Sequence, residues 1–153
     1  GNLCQRVISF NEKNLNLKIP NNYNFIKDDT AILDNYKFNY EKLLNYIDYQ
    51  NINSYMNFII DQLFAANKYF NDQEPWNKKS DKDRLNSILY VSLELIRKIS
   101  ILLYPIIPES SIKALKTFNI TEDKIDFNSI KNHEILKINS NINKISILFK
   151  KIL

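Results

Sequence analysis

A chain of 153 residues with a single glycine has few ways to turn tightly. Two-residue hairpins and phosphate-cradling loops need residues that accept positive φ or let a ligand approach the backbone closely, and glycine does both at the least steric cost. Its scarcity points away from a nucleotide-binding core and towards helices joined by polar connections. The length leaves room for one domain with a real core, but hardly for two. With 44% hydrophobic and 25% charged residues, the chain belongs with ordinary globular proteins and not with disordered tails. The abundance of Asn, Lys, Ile and Tyr fits an AT-rich coding sequence, so single asparagines carry little weight.

Hydrophobic spacing places the helices. The first is expected from before Gly1 to about Asn14, with Leu3, Val7 and Phe10 on one face. Pro20 and paired asparagines mark the stretch from Asn16 to Lys27 as a loop. Asp28, Asp29 and Thr30 supply the start of a second helix, whose stripe is Leu33, Tyr36, Tyr40, Leu43 or Leu44, and Ile47. Asn51 or Asn53 caps a third, with Ile52, Tyr55 or Met56, Ile59, Leu63, Ala66 and Phe70 facing inward. Ser80 with Asp83 three residues later reads as a capping box for a fourth. Its stripe of Leu85, Ile88 or Leu89, Ser92, Leu95 or Ile96, Ile99 and Leu102 or Leu103 is apolar enough for a central packing helix that ends at Pro105.

After Pro108, Ser110 or Ser111 opens a short fifth helix to about Phe118. Past Thr117 the pattern weakens: 121–130 has room for a further short helical turn, and 139–153 reads as either extended or helical. The expected fold is all-α, a bundle of about five helices with an irregular C-terminal tail. Residues 1–117 form the bundle, and 118–153 form an extension that packs on it or on a further domain.

Two clusters stand out from this frame. In Asn67-Lys68-Tyr69-Phe70-Asn71-Asp72-Gln73-Glu74-Pro75-Trp76, a helix runs into a proline that cannot continue it, and the only tryptophan is held at the corner. A flat ring followed by Asn77, Lys78 and Lys79 suits stacking on an unpaired base; folding back to cap the core is the other reading. Lys68, Lys78 and Lys79 are candidates for phosphate contacts, or simply solvated surface. Asn67 and Asn71, four apart on the same side as the turn, can satisfy the last carbonyls of their helix.

The second cluster is Asn2 and Arg6, neighbours on one helix face. An amide offers a donor and an acceptor, while a guanidinium offers several donors in a rigid fork. Cytosine matches them, since its O2 and N3 can accept from Arg6 and its N4 amino group can donate to the Asn2 carbonyl. Without further support, such a pair is ordinary solvated surface.

The net charge of +4 and pI near 9.0 permit a nucleic-acid partner without requiring one. Cys4, the only cysteine, allows no internal disulfide or multi-cysteine zinc knuckle, and fits a reducing compartment. The most apolar stretch, 91–107, carries Glu94, Arg97 and Lys98 and is too charged for a membrane span. No secretory signal is visible. His133 has no carboxylate pair or nucleophile recognisable beside it, so no catalytic residue is assigned. The abrupt start at Gly1, inside an expected helix, reads as a piece of a longer protein.

The two clusters together carry a family resemblance. Asn67 to Trp76, with its Asn-basic-Tyr run and Gln-x-Pro-Trp ending, resembles a helix end in the anticodon-binding domain of methionyl-tRNA synthetases. Gly1-Asn2-Leu3-Cys4-Gln5-Arg6-Val7 resembles the first helix of that domain, with its Gly-Asn-Leu-x-x-Arg pattern. The likeness covers most of the chain and fades beyond about Thr117. It implies recognition of the CAU anticodon of tRNA(Met): Asn2 and Arg6 on its first base, a cytosine, with Trp76 stacking in the anticodon and Asn67, Asn71 and Pro75 bordering the site. Asn71 stands where the resemblance leads one to expect an acidic residue.

The parent implied is a cytoplasmic methionine–tRNA ligase, without membrane attachment, that uses ATP and Mg. This chain shows no His-x-Gly-His signature, Lys-Met-Ser-Lys-Ser loop or zinc-ligand cluster. It would bind without catalysing, hold no cofactor itself, and partner tRNA(Met) and the catalytic domain of the same polypeptide. Its ending, Ile147-Leu148-Phe149-Lys150-Lys151-Ile152, is loosely similar to the tail that closes back onto that domain, but lacks the expected proline. Two alternatives are the anticodon domain of a cysteinyl- or valyl-type synthetase, against which Asn2 and Arg6 with Trp76 argue, and a helical protein-interaction module.

Overall fold

The computed structural model describes residues 2–144 as an all-α bundle. Gly1 and 145–153, including the expected tail motif, lie outside the described residues. The helices are α1 (Asn2–Leu15), α2 (Lys27–Phe38), α3 (Tyr40–Asp48), α4 (Ile52–Asp72), α5 (Lys82–Leu103) and α6 (Pro108–Lys116). Short 3-10 turns follow α4 at Pro75–Asn77 and α6 at Glu122–Lys124 and Phe127–Lys131. None of the described helices is long and apolar enough to cross a membrane.

The second expected helix is divided. Asn39 donates from Nδ2 to the Asn35 carbonyl at 2.8 Å and to Asn35 Oδ1 at 2.9 Å. That local bond competes with the helix ladder, and the chain ends α2 there and restarts as α3. Two starting signals also shift. Asp81, not Ser80, caps α5, its carboxylate accepting from the Arg84 N–H at 3.1 Å. Proline occupies the first turn of α6, so that helix opens at Pro108 ahead of Ser110 and Ser111. Asn51 is the cap of α4, its side chain accepting from Ser54 N.

Helix α5 is buried on every side from Leu85 to Leu102, not along one stripe. Helices α1, α2, α4 and α6 pack around it, as does the turn at Phe127–Lys131. Its charged residues lie inside and hold the chain that follows α6. Glu94 Oε1 accepts from the backbone N–H groups of Ile135 and Leu136, both at 2.8 Å. Arg97 donates to Glu94, Ser129 and the Asn132 carbonyl. Lys98 donates to the carbonyls of Ile130 and Asn132, and its Nζ lies 3.3 Å from His133 Nδ1. The other ring nitrogen of His133 meets Asp34 at 2.8 Å, so the histidine bridges α2 and α5 structurally.

The same following segment closes back on the loop after α1. Lys18 and Asn141 form an antiparallel bridge, flanked by Ile19 N to Ser140 O at 2.9 Å and Ile142 N to Leu17 O at 2.7 Å. The described part of 139–153 is therefore not helical: a turn at Asn139 leads into the bridge at Asn141. With glycine scarce, left-handed backbone falls on Asn16, Leu17, Gln50, Glu74, Asn119 and Asn139. Asparagine, which tolerates that region better than most residues, takes half of these positions.

Candidate functional site

Helix α4 stops at Asp72, three residues ahead of Pro75. Proline bars the preceding residue from right-handed helix, and Glu74 turns left-handed at φ 46° and ψ 58°. Its carbonyl accepts from Asn77 N at 2.9 Å and its carboxylate from Asn77 Nδ2 at 3.1 Å. Pro75 is buried, which fixes the corner and leaves Trp76 42% exposed. The indole is thus neither sealed in the core nor free in solvent. It meets Phe70 edge-on, with ring centroids 6.2 Å apart and planes at 73°.

Phe70 is the hub of the cluster, and sequence reading placed it only in a core stripe. The Arg6 guanidinium lies over the same ring, 5.4 Å from its centroid. Phe10 of α1 also packs edge-on against the ring. Arg6 Nη2 donates to Asn71 Oδ1 at 2.7 Å, joining α1 to the last turn of α4. Arg6, from the start of the chain, therefore joins Asn71 and Trp76 around one ring. Because Asn71 is neutral, it orients the guanidinium without cancelling its charge, and the other N–H groups of the fork stay available.

The remaining candidates are placed less closely. Asn2 is exposed one helical turn before Arg6. Asn67 donates to the Leu63 carbonyl at 2.9 Å and so lies against its own helix. Lys68 is exposed and paired with Asp72, so a phosphate would compete with that carboxylate. Lys78 is half-buried and Lys79 exposed on the chain leaving Trp76. A small, partly open cavity of about 60 Å³ among residues including Cys4, Leu63, Ile99 and Ser111 is lined by neither Arg6 nor Trp76. The Arg6 and Trp76 cluster is an open surface, which suits a polymer better than an enclosed small molecule. Among the described residues, no group of His, Cys, Asp or Glu side chains could hold a metal ion.

A buried ionic network behind the corner holds it in place. The Asp29 carboxylate is fully buried and takes both arms of the Arg84 fork, at 2.6 and 2.9 Å. It also accepts from the Tyr69 hydroxyl at 2.6 Å and from Ile26 N at 3.0 Å. Arg84 reaches on to Gln73 Oε1 at 2.7 Å, so the start of α2, the end of α4 and the first turn of α5 are locked together. Sequence reading gave no sign of this, because Asp29 and Arg84 are 55 positions apart.

Burial alone would raise the pKa of Asp29, but bonds from Arg84, Tyr69 and Ile26 outweigh it and hold the carboxyl below its ordinary value. A carboxylate depressed in the fold contributes stability that is complete above its unfolded pKa of about 3.9 and is lost as pH falls through the lower folded value. Stability should therefore decline below pH of about 4, and less steeply in Asp29→Asn. Urea unfolding at a series of acidic pH values measures this; equal slopes would remove Asp29 as a source of the decline.

Comparison with known proteins adds to the geometry. The family model for the anticodon binding domain of methionyl tRNA ligase matches residues 19–153. The methionine–tRNA ligase of Brucella suis biovar 1 is 36% identical over 128 residues, covering 83% of this chain and 25% of the relative. That of Rickettsia prowazekii is 35% identical over 160 residues, covering 99% of this chain and 30% of the relative. The apo crystal structure of Mycobacterium tuberculosis methionyl-tRNA synthetase superposes with a TM-score of 0.90 at 28% identity, covering 100% of this chain and 32% of that one. The same enzyme in complex with methionyl-adenylate gives 0.89 at 29% identity, covering 99% of this chain and 30% of that one. The chain thus spans between a quarter and a third of the length of these relatives.

Proposed function

This chain belongs to the family of anticodon-binding domains of methionyl-tRNA ligases, and from that premise we propose that it reads the CAU anticodon of tRNA(Met). The observation that carries the reading is the Arg6 guanidinium, held between Asn71 and the Phe70 ring beside a half-exposed Trp76. Donors fixed in direction before the RNA arrives lose less entropy on binding. The free N–H groups of Arg6 pair with O2 and N3 of the first anticodon base, while the Asn2 carbonyl takes its N4 amino group. Uracil and the purines do not present that set of acceptors and donor in the same places. Trp76 offers its open face to an unpaired anticodon base, and Pro75 sets the angle of the ring. Lys68, Lys78 and Lys79 supply positive charge along the backbone, with Asn67 bordering the site.

Within the whole enzyme, residues 1–117 serve as the RNA-binding bundle and 118–153 as an extension that packs on it or on the catalytic domain. The chemistry, with ATP and Mg, belongs to that catalytic domain of the same polypeptide, working in the cytoplasm. This chain selects the tRNA and takes no part in the bond-making step. The family match favours this over a cysteinyl- or valyl-type domain.

The test is a titration of the chain with a labelled stem–loop carrying CAU against one whose first anticodon base is changed to uracil. A good bidentate contact discriminates by about 1–3 kcal/mol, so the CAU loop should bind about tenfold tighter or more, with both affinities falling as salt rises. Equal binding of the two loops would rule out base reading by Asn2 and Arg6.

A further inference from the structure

The outer face of α4 carries a large apolar side chain that the core does not use. Phe64 is 72% exposed in the middle of a helix. Phe64 and Asn71 are seven residues apart, about two turns and about 10 Å along the axis, and point within about 20° of one another. Lys68, one turn from Phe64, sits on the same side. The strip from Trp76 and the Arg6–Asn71 pair to Phe64 thus presents ring, fork, cation and ring in succession on one surface. Phe38 and Tyr49 are also exposed, but they end α2 and α3. Tyr49 lies near the start of α4, about 30 Å along that helix from the Trp76 corner.

We propose that Phe64 is a second stacking platform for the RNA loop, taking an unpaired base beyond the one held at Trp76. The proposal rests on the anticodon reading and extends it along α4. An unstacked strand spans about 6–7 Å per nucleotide, so the interval from Asn71 to Phe64 is bridged by one or two nucleotides. Their phosphate passes Lys68, which exchanges Asp72 for it. Base stacking on an aromatic ring tolerates any base. Phe64 therefore raises affinity for the loop as a whole, and selection of CAU stays with Asn2 and Arg6.

The experiment scans CAU stem–loops with single abasic sites around the loop against the chain and its Phe64→Ala and Phe64→Tyr variants. Phe64→Ala should weaken binding of the intact loop about five- to tenfold, and Phe64→Tyr should restore it. One abasic position should cost the original chain affinity but cost Phe64→Ala nothing further, which identifies the stacked base. Because Phe64 is exposed, the helical signal should be unchanged. If Phe64→Ala binds every loop as the original does while Trp76→Ala does not, the anticodon reading stands and the second platform is overturned. If the original chain shows no preference for the CAU loop, the anticodon reading fails and takes this proposal with it.

Discussion

Glu94→Ala should cost the bundle about 3–5 kcal/mol, the range for breaking a buried ion pair by removing one partner. Glu94 is fully buried in α5, and its carboxylate has three partners. Oε1 takes the consecutive N–H groups of Ile135 and Leu136, and Oε2 takes Arg97 Nε at 2.7 Å. Alanine leaves two backbone donors and Arg97 Nε without their acceptor and the buried guanidinium without its counter-charge, and small domains have only about 5–15 kcal/mol in total. Glu94→Gln keeps an acceptor for the two amides and should cost less. Urea unfolding gives the total, and hydrogen exchange at Ile135 and Leu136 shows whether the segment after α6 detaches first. A loss under about 1 kcal/mol would mean that water replaces the carboxylate and that the clamp contributes little.

That clamp also marks where the sequence stopped being informative. Apolar spacing revealed each long helix, because a helix against a core repeats its contacts every three or four residues. For α5 it showed one buried stripe, with Glu94, Arg97 and Lys98 lying off it. What covers that face is the chain at 127–136, which has no periodicity of its own and reaches α5 through backbone groups. Backbone carbonyls and amides are the same at every position, so no residue pattern announces such a contact. The division at Asn39 was hidden for a similar reason: it depends on which way one asparagine bonds, in a chain full of them.

The candidate site was more legible than the network supporting it. Pro75 announced the corner at Trp76, and four-residue spacing announced Asn2 with Arg6. Phe70 as the shared contact of Arg6 and Trp76 was not visible, since a phenylalanine in an apolar stripe looks the same whether one face or both meet the core. The Asp29–Arg84 pair was equally hidden, although through Gln73 it holds the helix end that presents the tryptophan.

Trp76→Ala should lower affinity for the CAU stem–loop by about tenfold to a hundredfold, the loss expected from removing one good base stack. The cost to folding should be small by comparison. The indole is 42% exposed, lies outside the long helices, and touches Phe70 only at an edge. Trp76→Phe keeps a smaller ring at the corner and should fall between the two. Salt dependence adds a second readout: stacking releases no counterions, so the slope of log affinity against log salt should stay the same in Trp76→Ala, whereas a change that removes a phosphate contact flattens it. The competing assignment, an indole that caps the core, predicts the opposite division. Trp76→Ala would then lower the unfolding midpoint substantially, while whatever remained folded would bind the stem–loop with its original affinity, and Trp76 would belong to the packing of α4 on α1 and not to the RNA surface.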